Sequence, residues 1–190
     1  MELMCMIVID LEFSGMDPEV HSILSLGAVD FEHPHNTLYL ECKPRAGSEW
    51  DDQAAEVHGL SKEYLKKVHL SEKQLVEQFI AWREKIPHRT LAGQGMSWDI
   101  LFLYKACLRY GLNWPFKFKI VESHSIVTMH HILHQKKIPL SDGISKLGLD
   151  AICQYVGLDK RLGSHNALDD AQRTAECFSR LLYNKKLLEE

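Results

Sequence analysis

The sequence predicts an α/β fold: a mixed five-stranded sheet, with its first three strands antiparallel, flanked by helices. Three strand-like segments joined by short turns come first, and short connections make neighbouring strands antiparallel. Helical segments that alternate with short apolar strands follow, which is typical of a sheet with helices packed on it. With 190 residues, 45% of them hydrophobic and 25% charged, the chain is long enough for one domain with a sizeable core.

The first half of the chain supplies three strands and one helix. The predicted strands are rich in apolar residues and are separated by turn residues; they cover 6–12, 23–31 and 37–43. Apolar residues at helical spacing then predict a helix over 71–85. Ser71 is a suitable N-cap for this helix, and Pro87 stops it.

The second half alternates between short strands and helices. Two more strands are predicted at 90–93 and 117–121. The predicted helices cover 99–110, 126–135, 143–156 and 166–182. Gly111 closes the first of these helices and Asn166 caps the last. We assign 1–183 to a single domain and 184–190 to a short charged C-terminal tail.

Composition argues against several classes of protein. No apolar run reaches the roughly 18 residues that a membrane span needs. The apolar start of the chain carries an acid where a signal peptide would carry basic residues, so we interpret it as a strand. The five cysteines are widely spaced and form no CxxC pair. This spacing argues against a disulfide framework or a cysteine zinc site, and it predicts a reducing, cytoplasmic location.

Two acids interrupt the apolar first strand. Asp10 and Glu12 lie two residues apart, so alternation directs both side chains to the same face. Unpaired carboxylates repel each other and are costly to bury, which favours a functional role for the pair. The alternative is that this part of the strand is exposed.

Three further residues stand where a helix begins. Asp99 lies at the junction between the predicted strand 90–93 and the next helix. His165 comes just before the last helix and Asp170 lies one turn inside it, while Asp169 points about 100° away around the axis. Taken singly, an acid in a first turn compensates the helix dipole, and a lone histidine is more often structural.

Taken together, these residues form an ordered set of motifs: IDLEFSG at 9–15, WDILFL at 98–103 and HNALDDA at 165–171. The set resembles the DEDDh (DnaQ-like) 3′–5′ exonucleases of the ribonuclease-H-like superfamily. Two supporting segments, EVHGLS at 56–61 and KLGLDAICQYVG at 146–157, are similar to the family as well. The resemblance therefore spans nearly the whole chain.

The resemblance implies a ribonuclease-H-like fold and hydrolysis of phosphodiester bonds at the 3′ end of single strands, with release of nucleoside 5′-monophosphates. It implies two divalent cations, Mg²⁺ or Mn²⁺, held by carboxylates. Asp10 would bridge both ions, Glu12 and Asp170 would hold the ion that carries the nucleophilic water, and Asp99 would hold the second ion. His165 is implied as the general base, a role that its ordinary pKa near 6.5 suits.

Metal ions would also explain how a chain with a net charge of −4 binds nucleic acid, because that overall charge does not attract phosphates. Two carboxylates ~4 Å apart repel by about 4 kcal/mol at an effective dielectric of ~20. Two cations relieve this repulsion and clamp the attacking and leaving oxygens of an in-line displacement. The acidic pocket then binds phosphate without a basic surface.

The resemblance places Phe13, Ser14 and Leu60 in the pocket for the terminal nucleotide, where an apolar wedge would stack on the last base. The alternative is that Phe13 and Leu60 belong to the core. The chain departs from the family pattern in two motifs. Phe13 and Ser14 follow the acid pair where Thr is usual, and Gln94 and Gly95 stand where His-Asn is common.

Two other features receive no catalytic role. Glu122 and His124 stand near the fifth strand, where the family has an Asp. His130 and His134 have a spacing that suits zinc, but no Glu follows His130 as a metalloprotease requires. A solvated helix face is the preferred interpretation of these two histidines.

The sequence therefore predicts a single-domain 3′–5′ exonuclease, with RNA or short oligonucleotides slightly favoured because the DLEFSG opening is similar to oligoribonucleases. The alternatives are a DNA proofreading subunit, a catalytically silent nucleic-acid-binding domain on the same fold, and an endonuclease. The expected partners are single-stranded RNA or DNA, a second copy in a homodimer, and a polymerase or RNA-processing protein. No membrane partner is expected.

Overall fold

A computed structural model describes residues 5–87, 90–161 and 163–187. Five strands form one sheet in the order β3-β2-β1-β4-β5. The strands are β1 (Ile7–Phe13), β2 (Ile23–Asp30), β3 (Thr37–Glu41), β4 (Leu91–Gly93) and β5 (Ile120–Glu122). β2 pairs antiparallel with β1 and with β3, whereas β4 pairs parallel with β1 and with β5. This confirms the predicted α/β fold with its mixed sheet.

Seven helices and a small hairpin complete the described part of the chain. The helices are α1 (Asp52–His58), α2 (Lys62–Leu65), α3 (Glu72–Glu84), α4 (Met96–Tyr110), α5 (Ser123–Leu133), α6 (Leu149–Tyr155) and α7 (Ala167–Tyr183). The hairpin pairs β6 (Leu140–Ser141) with β7 (Ile144–Ser145). The predicted caps of two helices are confirmed: Ser71 forms a capping box with Gln74, and Asn166 accepts from the first backbone N–H groups of α7.

Three local predictions were wrong or incomplete. The predicted helix 143–156 begins only at Leu149, because Asp142 and Gly143 adopt φ of 52° and 78° and turn the chain into the β6–β7 hairpin. The short helices α1 and α2 were not predicted, although Asp51 and Ser61 cap them. The helix predicted over 99–110 begins three residues earlier, after Gly95 at φ 71°.

The sheet separates two layers of core. Ile7, Ile9 and Leu11 of β1 pack in the cluster that contains α3 and α4. Val8 points to the other face, where it packs with Ala171 and other residues of α7. The alternation of β1 therefore sends Asp10 and Glu12 to the face that α7 covers.

The N-terminus of α7 lies very close to β2. A Cβ atom on Gly27 would lie 2.2 Å from the backbone of Ala167, so only glycine fits there without displacing backbone. This contact holds the segment that carries His165 and Asp170 against the sheet. Among the described residues, no helix is long and apolar enough to cross a membrane.

Candidate active site

Carboxylates from β1, α4 and α7 meet at one end of the sheet. A cavity of about 470 Å³ is lined by Asp10, His165 and Asp170, together with residues of α6. One ligand atom from each of Glu12, His165 and Asp170 lies within 4.8 Å of the other two. Asp99 accepts a hydrogen bond from the backbone N–H of Leu11, between the two acids of β1. The structure thus brings together all five residues that the motifs singled out.

Burial and mutual repulsion shift the pKa values of these acids upward. Burial, followed by the charges of Asp99, Glu12 and Asp170, raises the pKa of Asp10 well above its usual range. Burial raises the pKa of Glu12 and of Asp99 to about 8 each, and that of Asp170 to about 6. In the absence of cations Asp10, Glu12 and Asp99 therefore retain protons near neutral pH, whereas Asp170 is mostly ionised and faces the Arg161 guanidinium.

Two buried carboxylate oxygens show that these residues fit a metal ion. Glu12 Oε1 and Asp170 Oδ1 are buried and have no hydrogen-bond partner among the described residues. A buried carboxylate oxygen without a donor is costly, and a cation would satisfy both atoms. An all-oxygen set with one histidine at its edge suits hard divalent cations such as Mg²⁺ and Mn²⁺.

His165 lies at the edge of the acid cluster. Its Nδ1 is 3.3 Å from Asp170 Oδ2, and its side chain is 42% exposed, so one side of the ring can face solvent or substrate. Its backbone N–H donates to Val57 O at 3.0 Å, which ties this segment to α1. Burial and the nearby charge of Arg161 lower the pKa of His165, so the ring is neutral near pH 7 and can accept a proton.

Arg161 is a residue of this site that the sequence reasoning missed. Its guanidinium is buried, with Nη1 2.5 Å from Asp170 Oδ2 and Nη2 3.1 Å from Asp150 Oδ1. The same Asp170 oxygen faces His165 Nδ1. Arg161 therefore places a positive charge on a carboxylate that a metal ion would also use. A basic residue four positions before His165 was the only signal in the sequence, and such residues are common on surfaces.

An Arg161→Gln variant is expected to bind Mn²⁺ about tenfold more tightly, because the cation no longer competes with a charged hydrogen bond. Titration calorimetry on protein freed of metal measures this affinity. The same variant should melt at a lower temperature in chelator, since Asp170 loses its compensating charge. Arg173→Gln is the matched control, because Arg173 pairs with the exposed Asp169. Equal Mn²⁺ affinity in native protein and Arg161→Gln would contradict the competition.

The raised pKa values predict how metal and pH together affect stability. The folded pKa values of about 8 for Glu12 and Asp99 exceed their ordinary values of 4.5 and 3.8, so the folded state binds more protons between pH 4 and 8. The stability that these groups contribute in chelator therefore falls as pH rises through this window. Because cations bind the ionised carboxylates, the increase in melting temperature caused by Mn²⁺ should be larger at pH 8 than at pH 5.5. Scanning calorimetry with Mn²⁺ or chelator tests this, and an increase that does not change with pH would contradict it.

The positions that depart from the family pattern stabilise the start of α4. The Glu122 carboxylate accepts from Gly95 N at 3.0 Å and Met96 N at 2.9 Å, and it also caps α5 through His124 N. The Gln94 side chain contacts the Ser123 hydroxyl. Glu122, for which the sequence suggested no role, thus anchors the helix that carries Asp99.

The three residues expected in the substrate pocket lie in different environments. The ring of Phe13 stacks on Phe102, with centroids 3.9 Å apart, and is half-buried. Ser14 is fully buried; its hydroxyl donates to Glu49 O at 2.8 Å and accepts from Ser22 N at 2.9 Å. Its side chain therefore holds the loop after β1 in place and presents no surface to a ligand. Leu60 is half-buried and lines a separate cavity of about 510 Å³ next to α1.

The histidines of α5 are engaged with α6. His130 Nδ1 lies 2.8 Å from the Tyr155 hydroxyl, and the ring of His131 stacks on Tyr155 with centroids 4.2 Å apart. The rings of His134 and His130 are tilted by 34° with centroids 4.2 Å apart. His130 and His131 thus pack between α5 and α6, whereas His134 is exposed, so the solvated-face interpretation holds for His134 but not for His130.

Comparison with known proteins places this geometry in a family. The exonuclease family model RNase_T matches residues 7–178. The PolC-type DNA polymerase III of Thermotoga petrophila is 24% identical over 177 residues, and that of Thermotoga maritima matches to the same extent. The matched region is 93% of this chain and 12% of each polymerase, so the chain spans about one eighth of the length of these relatives.

Solved structures share the fold at low sequence identity. The nuclease domain of 3′hExo, a DEDDh family member bound to rAMP, has a TM-score of 0.71 and 20% identity, with 97% of this chain and 94% of that chain covered. The zinc-bound complex of Escherichia coli exonuclease I with single-stranded DNA has a TM-score of 0.75 and 14% identity, with 94% and 40% covered. Cell-death related nuclease 4 has a TM-score of 0.77 and 13% identity, with 96% and 64% covered. The predicted ribonuclease-H-like fold is confirmed, and the family match agrees with the motifs.

Proposed function

Because this chain belongs to the RNase_T exonuclease family and carries its DEDDh residues, we propose that it is a metal-dependent 3′–5′ exonuclease that acts on single-stranded nucleic acid. The observation that carries the proposal is the convergence of four carboxylates with two unsatisfied buried oxygens beside a neutral histidine. The product is a nucleoside 5′-monophosphate released from the 3′ end.

The four acids, Asp10 among them, would hold two divalent cations, Mg²⁺ or Mn²⁺. Glu12 and Asp170 would complete one cation site and Asp99 the other, in line with their positions on β1, α7 and α4. When bound, the cations supply stabilisation of the extra negative charge on the phosphate and activation of a water. The buried Glu12 and Asp170 exclude bulk water from one side of the site.

His165 is the proposed general base. Its half-exposed neutral ring accepts a proton from the water that attacks the phosphorus of the terminal nucleotide. The bond between phosphorus and the 3′ oxygen of the preceding nucleotide breaks. That oxygen takes up a proton from solvent and becomes the new 3′ hydroxyl, and the phosphate leaves on the released nucleotide. Asp170 orients the imidazole through the 3.3 Å contact with Nδ1.

The substrate is single-stranded nucleic acid, with RNA or short oligonucleotides favoured by the DLEFSG opening. A second candidate is a proofreading exonuclease that works with a DNA polymerase, which the similarity to PolC-type polymerases favours. The two candidates share the reaction and differ in the sugar and in the partner. A catalytically silent binding domain is disfavoured because Asp10, Glu12, Asp99, His165 and Asp170 are all present.

Linear and circular single strands of the same sequence, in RNA and DNA versions, test whether cleavage requires a free strand end. Linear strands with Mn²⁺ should be degraded to 5′-monophosphates while circles stay intact. The ratio of the rates on RNA and DNA of the same sequence then ranks the two candidates. Cleavage of the circles, or products of mixed length, would replace the exonuclease proposal by endonucleolytic cutting. A 3′ phosphate on the linear substrate is a useful control, since it blocks the hydroxyl end.

A further inference from the structure

A second charged cavity lies on the surface, separate from the cavity of the acidic site. It has a volume of about 270 Å³ and is lined by Lys43, Pro44, Arg45, Ser48, Lys62 and Lys66, which we call the basic cleft. Four of these six side chains are cationic and none is acidic, although the whole chain carries a net charge of −4. The cleft is therefore a local reversal of the sign of the surface potential.

The lysines of the basic cleft have no carboxylate partner among the described residues. Lys43, Lys62 and Lys66 are exposed, and none of them forms an ion pair with a described residue. Arg45 differs, because it donates to the carbonyls of Glu19 and His21 and its Nε lies 3.9 Å from Oε2 of the buried Glu72, so it is anchored and its charge is partly compensated. Three unpaired ammonium groups around one anchored guanidinium are a suitable arrangement for binding several anionic groups in a row.

Trp50 positions one of these lysines. The ammonium of Lys62 lies 5.2 Å from the centroid of the Trp50 ring, and that ring meets His58 edge-on at 6.2 Å. A cation held over an aromatic face keeps its charge and its donors while losing part of its freedom. The Trp50 contact thus reduces the entropy that Lys62 loses when it binds an anion.

The segment that carries Trp50 and Lys62 is joined to the acidic site by two backbone hydrogen bonds. Asp51 N donates to Ser14 O at 2.7 Å, two residues after Glu12. At the other end of α1, His165 N donates to Val57 O at 3.0 Å. Lys62 follows His58, the last residue of α1, by four residues, and it also lines the cavity that contains Leu60.

This connection sets the distance between the two sites. Five residues from Val57 to Lys62 span at most about 17 Å, so the cleft begins within that distance of the backbone that contacts His165. At about 3.4 Å per nucleotide in a stacked strand, this corresponds to roughly five nucleotides. A strand longer than a few nucleotides, with its 3′ end at the acids, reaches the cleft if it runs along α1.

We propose that the basic cleft binds backbone phosphates of the substrate strand on the 5′ side of the scissile bond. The inference rests on the proposed function, because it assigns the cleft to the strand whose 3′ end enters the acidic site. The cleft recognises phosphate charge, so it acts on RNA and DNA alike and reads no sequence. It supplies affinity for long strands that the negatively charged chain otherwise lacks.

Binding of 5′-fluorescent oligonucleotides of 3 and 12 nucleotides tests the cleft, in an Asp10→Asn background that prevents degradation. Combined Lys43→Gln, Lys62→Gln and Lys66→Gln substitutions should weaken 12-mer binding roughly 10- to 100-fold in 0.1 M salt and lower the salt slope by about 2. The matched control is the triple substitution Lys136→Gln, Lys185→Gln and Lys186→Gln, which removes the same charge from a second exposed cavity far along α5 and α7. This control should bind the 12-mer like the background protein.

Two results would overturn the proposal. One is an unchanged 12-mer affinity in the cleft variant. The other is an equal loss of 12-mer affinity in the control triple variant, which would show that the loss depends on net charge and not on the cleft. Because binding is measured without cleavage, the test is separate from the proposed function. Absence of hydrolysis by the native protein would refute the exonuclease. Normal 3′–5′ degradation by the native protein, together with unchanged 12-mer binding by the cleft variant, would refute the cleft alone.

Discussion

Replacement of Asp10 by Asn is expected to lower turnover by about 10³-fold or more while the fold is kept. Asp10 lies on the central strand β1, and the charges of Asp99, Glu12 and Asp170 all raise its pKa. Asparagine has nearly the same shape but carries no charge, so it would be a much weaker ligand for the proposed cations. In chelator the variant should be at least as stable as the native protein, since the substitution removes a buried acid whose ionised form is disfavoured by burial and by its acidic neighbours.

The control for this variant is Asp169→Asn. Asp169 precedes Asp170 on α7, but its side chain is 47% exposed and pairs with Arg173 away from the acid cluster. This control should retain native turnover, which separates the loss of a metal ligand from a general loss of negative charge. Native turnover in the Asp10→Asn variant, measured with pure protein at saturating Mn²⁺, would remove Asp10 from the mechanism.

Replacement of His165 by Ala is expected to reduce kcat by roughly 10²- to 10⁴-fold, the usual contribution of a general base. The fold should survive, because the structural tie at this position is the backbone hydrogen bond from His165 N to Val57 O. The difference between variant and native protein should shrink as pH rises, because hydroxide needs no base to attack the phosphorus.

His134→Ala is the matched control for His165→Ala. His134 is exposed on the far end of α5 and packs against His130, away from the carboxylates. Single-turnover rates from pH 6 to 9 compare the three proteins directly. A His165→Ala variant with native rates, or with a deficit that stays constant at high pH, would contradict the role of His165 as base.

Much of the site follows from local rules of sequence. Strand alternation places Asp10 and Glu12 on one face, and the spacing of His165 and Asp170 places both at the start of α7. The position of Asp99 near them could not be derived from spacing, because it depends on how β4 runs parallel beside β1. The family resemblance supplied that link.

The features that were missed depend on tertiary contacts. No local pattern links Arg161 or Asp150 to the acid cluster, and only the packing of α6 on α7 brings the guanidinium onto Asp170. Glu122 reaches the start of α4 only because β5 lies beside β4. Ser14 was expected to face substrate, yet the loop after β1 turns its hydroxyl inward.

The most direct test of the account is degradation of a 5′-labelled single strand with Mg²⁺, Mn²⁺ or chelator, beside the Asp10→Asn variant. The account predicts a ladder that shortens from the 3′ end with metal, and intact strand both in chelator and with the variant. Intact strand under every metal condition, with native protein shown to be folded, would contradict it and favour a silent binding domain on the same fold.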